Sequence, residues 1–496
     1  MKLAELFAGV RDAAIGAPAE TLVFSLAYDS RRVKPGALFF AIRGEKADGH
    51  EFIDQALRQG AVAIVSENPA PPPLAARWVQ VPRIRRALSE AARNLLGRPD
   101  SHLKLVGITG TNGKTTTAFL LDSIFRAAGI PSGMFGTVEY RFAGRVLPAS
   151  NTTPESLDLL TYLAELVNAG GQAAAMEVSS HALAQERVWG FHFAAAVFTN
   201  LTQDHLDYHR TMENYFLAKR KLFEGLGAPP PGLAVLNVED PAGVRLIELP
   251  CSRRLTYGLN SNAQVRAKQF SQSVSGLRAT VLTPQGKLEI QSALLGRANL
   301  MNILAATATA TGLNVPPDRI EAGVASLATV PGRMDRIDLG QPFLVLVDYA
   351  HTDDALRNVL RTARELTRHR LIVVFGCGGD RDRAKRPLMG EAAGSLSDLA
   401  ILTSDNPRSE DPLLIMSDAM VGLQRAGKAY LAEVDRESAI RKALQLAKEG
   451  DTVVLAGKGH ETYQVLKDRT VHFDDREVAQ AVLRELGYER PPERET

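Results

Sequence analysis

The chain has 496 residues, 45% of them hydrophobic and 23% charged, with Lys+Arg 58 against Asp+Glu 56. That length exceeds one ordinary core and points to about three units of ~100–200 residues, and the near-neutral balance excludes a polybasic nucleic-acid or membrane surface. Two distant cysteines, Cys251 and Cys377, exclude a disulfide framework or a cysteine zinc site; no apolar run approaches the ~18–20 residues of a bilayer span, so a cytoplasmic enzyme is expected.

In chain order, "GALFFAI" and "AVAIV" read as buried strands around a helix, "FIDQALRQG", that ends on Gly60. Gly97 and Pro99 then break the pattern, so residues 1–97 form an N-terminal α/β domain. From 98 to 332, the strands "KLVGITG", "AAAMEV" and "AAAVFTNL" alternate with helical stretches as unbroken apolar runs, the signature of a parallel sheet covered on both faces. The alternating stretch from about 250 to 292 predicts a small antiparallel appendage, followed by a long helix over "NLMNILAATATATGL". Beyond "TVPGRMDRID" the α/β rhythm restarts with "FLVLVDYA", "LIVVFGCGG", "LAILTSD" and "DTVVLAGKG", a Rossmann-like domain over 333–496. The fold class is therefore α/β in three domains, the central one doubly wound.

The stretch "GITGTNGKTTTAFLL" follows a strand and opens a helix, the setting of a phosphate-binding loop. Its Gly110, Thr111, Asn112, Gly113, Lys114, Thr115 and Thr116 can close backbone N–H groups around phosphates, supply a positive charge from Lys114, and offer the Thr115 hydroxyl to Mg²⁺. An eight-residue Walker pattern needs glycine at 108, where this chain has Ile. Glu177 ends the next strand and is a candidate Mg²⁺ ligand. His205 and His209 lie four apart after the third, which can imitate a zinc pair, although no third ligand is evident and a capped helix with surface histidines also fits. Arg333 and Asp348 can contact a phosphate and a ribose, and Arg381 and Arg408 can clamp carboxylates.

These motifs in this order resemble the Mur ligases, the ATP-dependent amide-bond synthetases of peptidoglycan assembly, from about residue 25 to 480. The resemblance rests on "GTNGKTT", "MEVSSHAL", "TNLTQDHLDYH", "FLAKRKLF", "NLMNILAA", "PGRMDRID", "DYAHTDD", "GCGGDRDRAKRP", "SDNPRSEDP" and "AGKGHETY", and the displaced glycines are this family's own form of the loop. It implies ATP and Mg²⁺ as cofactors, with Lys114 and Thr115 on the nucleotide, and Thr115, Glu177, His205 and a carbamylated Lys219 on the metal; Lys114, Lys219, His205 and Glu177 are the implied catalytic set. Asn299 and Asn302 match adenine contacts, and Arg333 and Asp348 nucleotide contacts from the third domain. Asn151, Thr152, Thr153, Ser179, Gln185 and Arg187 match the site of a muramoyl dipeptide, with Ser30 and Lys46 on its uridine diphosphate. Arg381, Asp405, Asn406, Pro407, Arg408, Gly457 and Glu461 match an amino-acid site, and "DNPR" resembles the motif that selects meso-diaminopimelate. The implied substrates are UDP-N-acetylmuramoyl-L-Ala-D-Glu and meso-diaminopimelate, handled by a monomer without nucleic acid or membrane. Two departures stand out: Asp335 where Glu is common, and Asp353 where Pro is common. A lysine-adding relative, a folylpolyglutamate synthase and a phosphate-loop NTPase are the rival readings; the N-terminal "DSRRVKPG" argues against the second.

Overall fold

A computed structural model describes residues 1–44 and 47–489. Three large sheets succeed one another along the chain. In the first, Ala14–Ile15, Trp78–Gln80, Ala63–Ser66, Ala37–Phe40 and Ser25–Ala27 lie side by side, parallel except for the first. The apolar runs at 37–40 and 63–66 are buried on both faces, which is why they read as continuous rather than alternating. Gly60 closes the intervening helix, Ile53–Arg58, at φ +98°, a left-handed value that favours glycine.

The second sheet is built on Lys104–Thr109, flanked by Ala173–Glu177 and Ala195–Phe198, all parallel. Ala234–Asn237 and Arg254–Gly258 continue it in parallel. The antiparallel meander Val265–Ser273, Gly276–Thr283 and Gly286–Ser292 is hydrogen-bonded onto that edge. The expected appendage is thus an extension of the central sheet, and it begins later than expected because 254–258 pairs in parallel. A hairpin, Glu139–Phe142 with Arg145–Pro148, extends the opposite edge and was not anticipated.

Two helices pack deep against this sheet. Lys114–Ala127 is buried along almost its whole length, and Arg297–Gly312 is buried on every side because its run of Ala and Thr lets neighbours approach closely. The third sheet orders Asp335–Ile337, Leu344–Asp348, Thr452–Ala456, Leu371–Phe375, Leu399–Leu402 and Tyr430–Ala432, parallel except at the first pairing. Among the described residues no helix is long and apolar enough to cross a membrane.

The sheets do not float apart. Leu38, Phe40 and Val65 of the first share one apolar cluster with Phe135, Leu163 and Met176 of the second. Arg86 spans the same junction: it donates to Glu186 at 2.9 and 2.7 Å and lies 3.8 Å over the Trp189 ring. The third sheet carries its own buried pair, Arg436 to Asp475 at 2.7 and 2.6 Å, both fully excluded from solvent. Arg436 also donates to the carbonyl of Ala456 at 3.0 Å, which ties the pair to the strand end from which the 457–461 loop departs. Breaking such a pair leaves an uncompensated buried charge. Arg436→Met should therefore lower unfolding free energy by about 3–5 kcal/mol in denaturant titrations, and adding Asp475→Leu to it should recover part of that loss.

Candidate active site

The loop after Lys104–Thr109 requires glycine at two places. Gly110 sits at φ +148°, where a Cβ would lie 1.8 Å from the Thr199 hydroxyl, and Gly113 at φ +87°, where it would lie 2.3 Å from Asn302 Oδ1. Gly107 serves packing instead, since a Cβ there would press on Phe193 and Leu222. Lys114 Nζ donates to the carbonyls of Gly110 and Thr111 at 2.9 and 2.8 Å. Lys219, on the inner face of helix Met212–Glu224, donates to the same Gly110 carbonyl at 2.7 Å and lies 4.4 Å over the Tyr215 ring. Burial, and then the charge of Lys114, push the Lys219 amine well below its ordinary value.

The Glu177 carboxylate accepts from Thr137 N at 2.8 Å and from the Thr137 hydroxyl at 3.1 Å. The Thr115 hydroxyl meets Arg333 Nη2 at 3.2 Å across the junction with the third sheet. His205 has φ +52° at the start of the short helix Leu206–His209, and burial drops its imidazole to about 3, so it stays neutral and able to donate a lone pair. His209 turns inward to the Ser180 hydroxyl at 2.9 Å and is buried. The i, i+4 histidines are therefore not two surface groups, since His209 is buried on the Ser180 hydroxyl, and among the described residues no third ligand completes a zinc site. Asp204 does not cap that helix either; its carboxylate receives Lys385 Nζ at 2.5 Å.

Among the described residues no three His, Cys, Asp or Glu side chains converge into a metal cage. Mg²⁺ does not need one, because it is commonly held by one or two carboxylates together with substrate phosphates. Thr115 and Glu177 supply hard oxygens that suit it. Lys219 as an amine does not; only an oxygen-bearing derivative would.

The loop opens into a cavity of about 260 Å³ that Asn299, Asn302, Arg333 and Asp348 also line. Asn302 Nδ2 donates to Asn299 Oδ1 at 3.1 Å, and Asn299 Nδ2 to the carbonyl of Leu295 at 2.8 Å, so the two amides hold fixed orientations. Asp348 accepts from Met334 N at 2.8 Å; burial raises its carboxyl to about 6 although Arg333 pulls the other way.

A second cavity of about 460 Å³ lies under the third sheet and is lined by Arg381, Asp405, Asn406, Arg408, Gly457 and Glu461. Arg408 has φ +54°; its Nη1 donates to the carbonyl of Gly379 at 2.7 Å and its backbone N to that of Val465 at 3.0 Å. Glu461 accepts from Asn406 Nδ2 at 2.8 Å. Pro407 is buried behind the loop with its carbonyl against Gly379, so it shapes the wall rather than forming it. Asp204, His205, Tyr349 and His351 line both cavities and are the wall between them.

Thr152 and Ser179 reach the cavity that the loop at 110–116 opens into. Thr153 is almost fully buried and bridges two backbones, donating to the carbonyl of Glu177 and accepting from Ser179 N. Arg187 donates to Gln185 Oε1 at 2.8 Å and to the carbonyl of Thr153 at 2.9 Å. Asn151 is exposed, with its N–H on the Tyr140 hydroxyl at 3.0 Å. Ser30 lies apart from both cavities and turns inward to Gln55 Oε1 at 3.0 Å, while Lys46 falls outside the described residues. Thr137, Lys385 and Tyr349 went unnoticed in the sequence. Asp204 and Lys385 are 181 positions apart, and no local pattern pairs them.

The Mur ligase middle domain matches residues 108–310, the glutamate ligase domain of Mur ligases residues 332–459, and the Mur ligase catalytic domain residues 23–95. A UDP-N-acetylmuramoyl-L-alanyl-D-glutamate–2,6-diaminopimelate ligase of Solibacter usitatus is 58% identical over 98% of this chain and 99% of its own. The ligase of the same name from Geobacter metallireducens is 46% identical with equal coverage. A solved structure carrying that name superposes with a TM-score of 0.70 at 33% identity, covering 98% of this chain and 99% of its own. A folylpolyglutamate synthase of Mycobacterium tuberculosis shares the fold over 76% of this chain, with a TM-score of 0.60 at 18% identity.

The raised Asp348 carboxyl has a consequence for stability. Below about pH 4 it is protonated in both folded and unfolded chains; between about 4 and about 6 only the unfolded chain ionises it, so folding loses stability as pH rises. A rise of about two pKa units corresponds to on the order of 3 kcal/mol. Denaturant titrations at pH 4 and pH 7 should show Asp348→Asn gaining stability relative to the unmodified chain over that interval, and no relative change would contradict the assignment.

Proposed function

The chain belongs to the Mur ligase family, and from that premise we propose that it joins meso-2,6-diaminopimelate to UDP-N-acetylmuramoyl-L-alanyl-D-glutamate at the expense of ATP, in peptidoglycan precursor synthesis. One observation carries the reading: a cavity built on a phosphate loop and a cavity built on arginines share a single wall. An acyl phosphate formed on one side can meet an amine held on the other without crossing bulk water.

ATP would lie along residues 110–116, its adenine toward Asn299 and Asn302 and its ribose and phosphates toward Asp348 and Arg333. Lys114 would exchange the Gly110 and Thr111 carbonyls for the β- and γ-phosphates. The D-glutamyl carboxylate would attack the γ-phosphate from the side of Thr152, Ser179 and Arg187, and the opposing charge of Lys114 and Arg333 would stabilise the transferring group. Thr115, Glu177, His205 and a carbamylated Lys219 would hold Mg²⁺, which when bound neutralises charge on the phosphates. A neutral amine is the form that takes up CO₂, and burial together with the charge of Lys114 shifts Lys219 toward that form. The carbamate would place an anion beside the Lys114 amine, turning an unfavourable neighbour into a favourable one. Uridine diphosphate would occupy the carboxyl ends of the first sheet near Ser30, and the division at 97 and 332 would separate the three binding tasks. One chain supplies both cavities, which suits a monomer, and small nucleotide substrates suit the cytoplasm.

Arg408 and Asn406 would read the second carboxylate and amine of meso-diaminopimelate. L-lysine lacks that carboxylate, so it would forfeit a charge-assisted hydrogen bond of about 1.5–3 kcal/mol. Phosphate release from Mg·ATP and the nucleotide dipeptide should require meso-diaminopimelate and should yield a tripeptide by mass spectrometry. A lysine product would keep the ligase and overturn the selectivity. Arg408→Leu should lower kcat/KM for meso-diaminopimelate by about 10- to 100-fold while leaving ATP binding intact. For Lys219, ¹³CO₂ should give a carbamate carbon signal that is absent in Lys219→Ala, a readout that does not depend on turnover.

A further inference from the structure

The ligase reading leaves one task unassigned. The amine that attacks an acyl phosphate must be neutral, whereas diaminopimelate carries ammonium groups at neutral pH. Some group must take that proton where the two cavities meet, and four residues form that wall.

Three of them are committed. Asp204 is paired with Lys385 at 2.5 Å, and His205 is a proposed metal ligand. Tyr349 is a phenol whose ring is packed between His351 and His460, with centroids 4.6 and 4.9 Å away, and burial pushes its hydroxyl upward. In the amino-acid cavity, Glu461 is occupied by Asn406 and lies 3.4 Å from Lys458 Nζ.

His351 differs in two ways. It is exposed, and its Nδ1 lies 2.9 Å from the carbonyl oxygen of Tyr349. A carbonyl only accepts, so Nδ1 must carry the hydrogen, and in the neutral ring the lone pair is on Nε2. The tautomer is set by backbone, which leaves a base whose basic nitrogen is the one not tied down.

We propose, on the ligase reading above, that His351 is the catalytic base of the second half-reaction. Nε2 takes one proton from the diaminopimelate ammonium. The freed lone pair forms the C–N bond at the acyl-phosphate carbon, the C–O bond to phosphorus breaks, and phosphate leaves with that electron pair. The second proton on nitrogen goes to the departing phosphate as the amide forms. The imidazolium faces the Asp204 carboxylate, whose low value already reflects the charge of His351 together with those of His205 and Lys385. His460, whose charge acts against the imidazolium, and Tyr349, which carries Arg333 over its ring, are further titratable neighbours.

Two acceptors separate this role from any other. Hydroxylamine is largely unprotonated at neutral pH and needs no base to attack an acyl phosphate. With Mg·ATP and the nucleotide dipeptide, His351→Gln and His351→Asn should form ADP and trapped hydroxamate within a few-fold of the unmodified enzyme. Tripeptide formation should fall by about 10²- to 10⁴-fold, the usual contribution of a general base, and should recover as pH rises toward the amine's own pKa. Thermal melts unchanged by more than a few degrees would qualify both variants as folded. Folded variants that lose hydroxamate and tripeptide together, show a raised KM for ATP, or retain tripeptide formation would overturn the proposal. If the unmodified enzyme forms neither hydroxamate nor tripeptide, the ligase reading fails first.

Discussion

Two lysine side chains from different helices donate to one backbone carbonyl, that of Gly110. Neither has a carboxylate bonded to it. The acidic groups nearest them are engaged elsewhere, Glu177 by Thr137 and Asp204 by Lys385, so the positive potential at the loop is left for a polyanion. Gly110 can present its carbonyl to both only because φ +148° and the absence of a Cβ let the loop turn tightly against Thr199. The rest of the site follows from that turn. It sets Lys114 at the start of a buried helix, brings Lys219 beneath it, and leaves the cavity mouth to be completed by Arg333 and Asp348 from the third sheet.

Three groups of contacts hold the sheets to that centre, and each falls on or beside a motif. Asp158, three residues after "TTPE", accepts from the Tyr28 hydroxyl and from Arg32 at 2.7 Å. Glu186 takes the positive φ of +61° between Gln185 and Arg187 and is pinned there by Arg86. On the other side, Asn112 donates to Asp354 at 3.2 Å, and Lys385 reaches Asp204. Arg32 in the first pair is largely exposed, and such a surface pair contributes about 0–1 kcal/mol, whereas Glu186 and Asp204 are buried carboxylates that need their partners. These contacts register the loop at 151–155 against the first sheet and the phosphate loop against the third.

The parts legible in the sequence are those with local grammar. Apolar runs mark the parallel strands, and the phosphate loop, Glu177 and the arginine loops stand at strand ends, where the pattern locates them; Lys219 is identified only through the family resemblance. The illegible parts were long-range. The meander at 265–292 looked like a separate piece because its alternation is antiparallel, yet its first strand pairs with 254–258. The histidines at 205 and 209 obey helical spacing, but one begins the helix in a left-handed conformation and the other is buried on the Ser180 hydroxyl. Arg436 with Asp475 and Asp204 with Lys385 are pairs of ordinary charged residues whose partners only topology reveals.

The two departures from the family pattern are absorbed locally. Asp353 stands at the first position of helix Asp353–Leu366, where Thr352 caps the backbone of Ala355 at 3.2 Å. Proline suits that position by its fixed φ, and an acidic residue suits it by complementing the helix dipole, so the exchange replaces one helix-starting device with another. Asp335 accepts from the Thr329 hydroxyl at 2.8 Å and faces Gly332 N at 3.4 Å. Its shorter carboxylate thus closes the turn that precedes it and does not reach toward the cavity. Arg333, two residues earlier in the chain, meets Thr115, and Met334 bonds Asp348. What that turn must preserve is therefore the placement of residues 333 and 334 against the phosphate loop, and a carboxylate one methylene shorter does so by bonding its own turn.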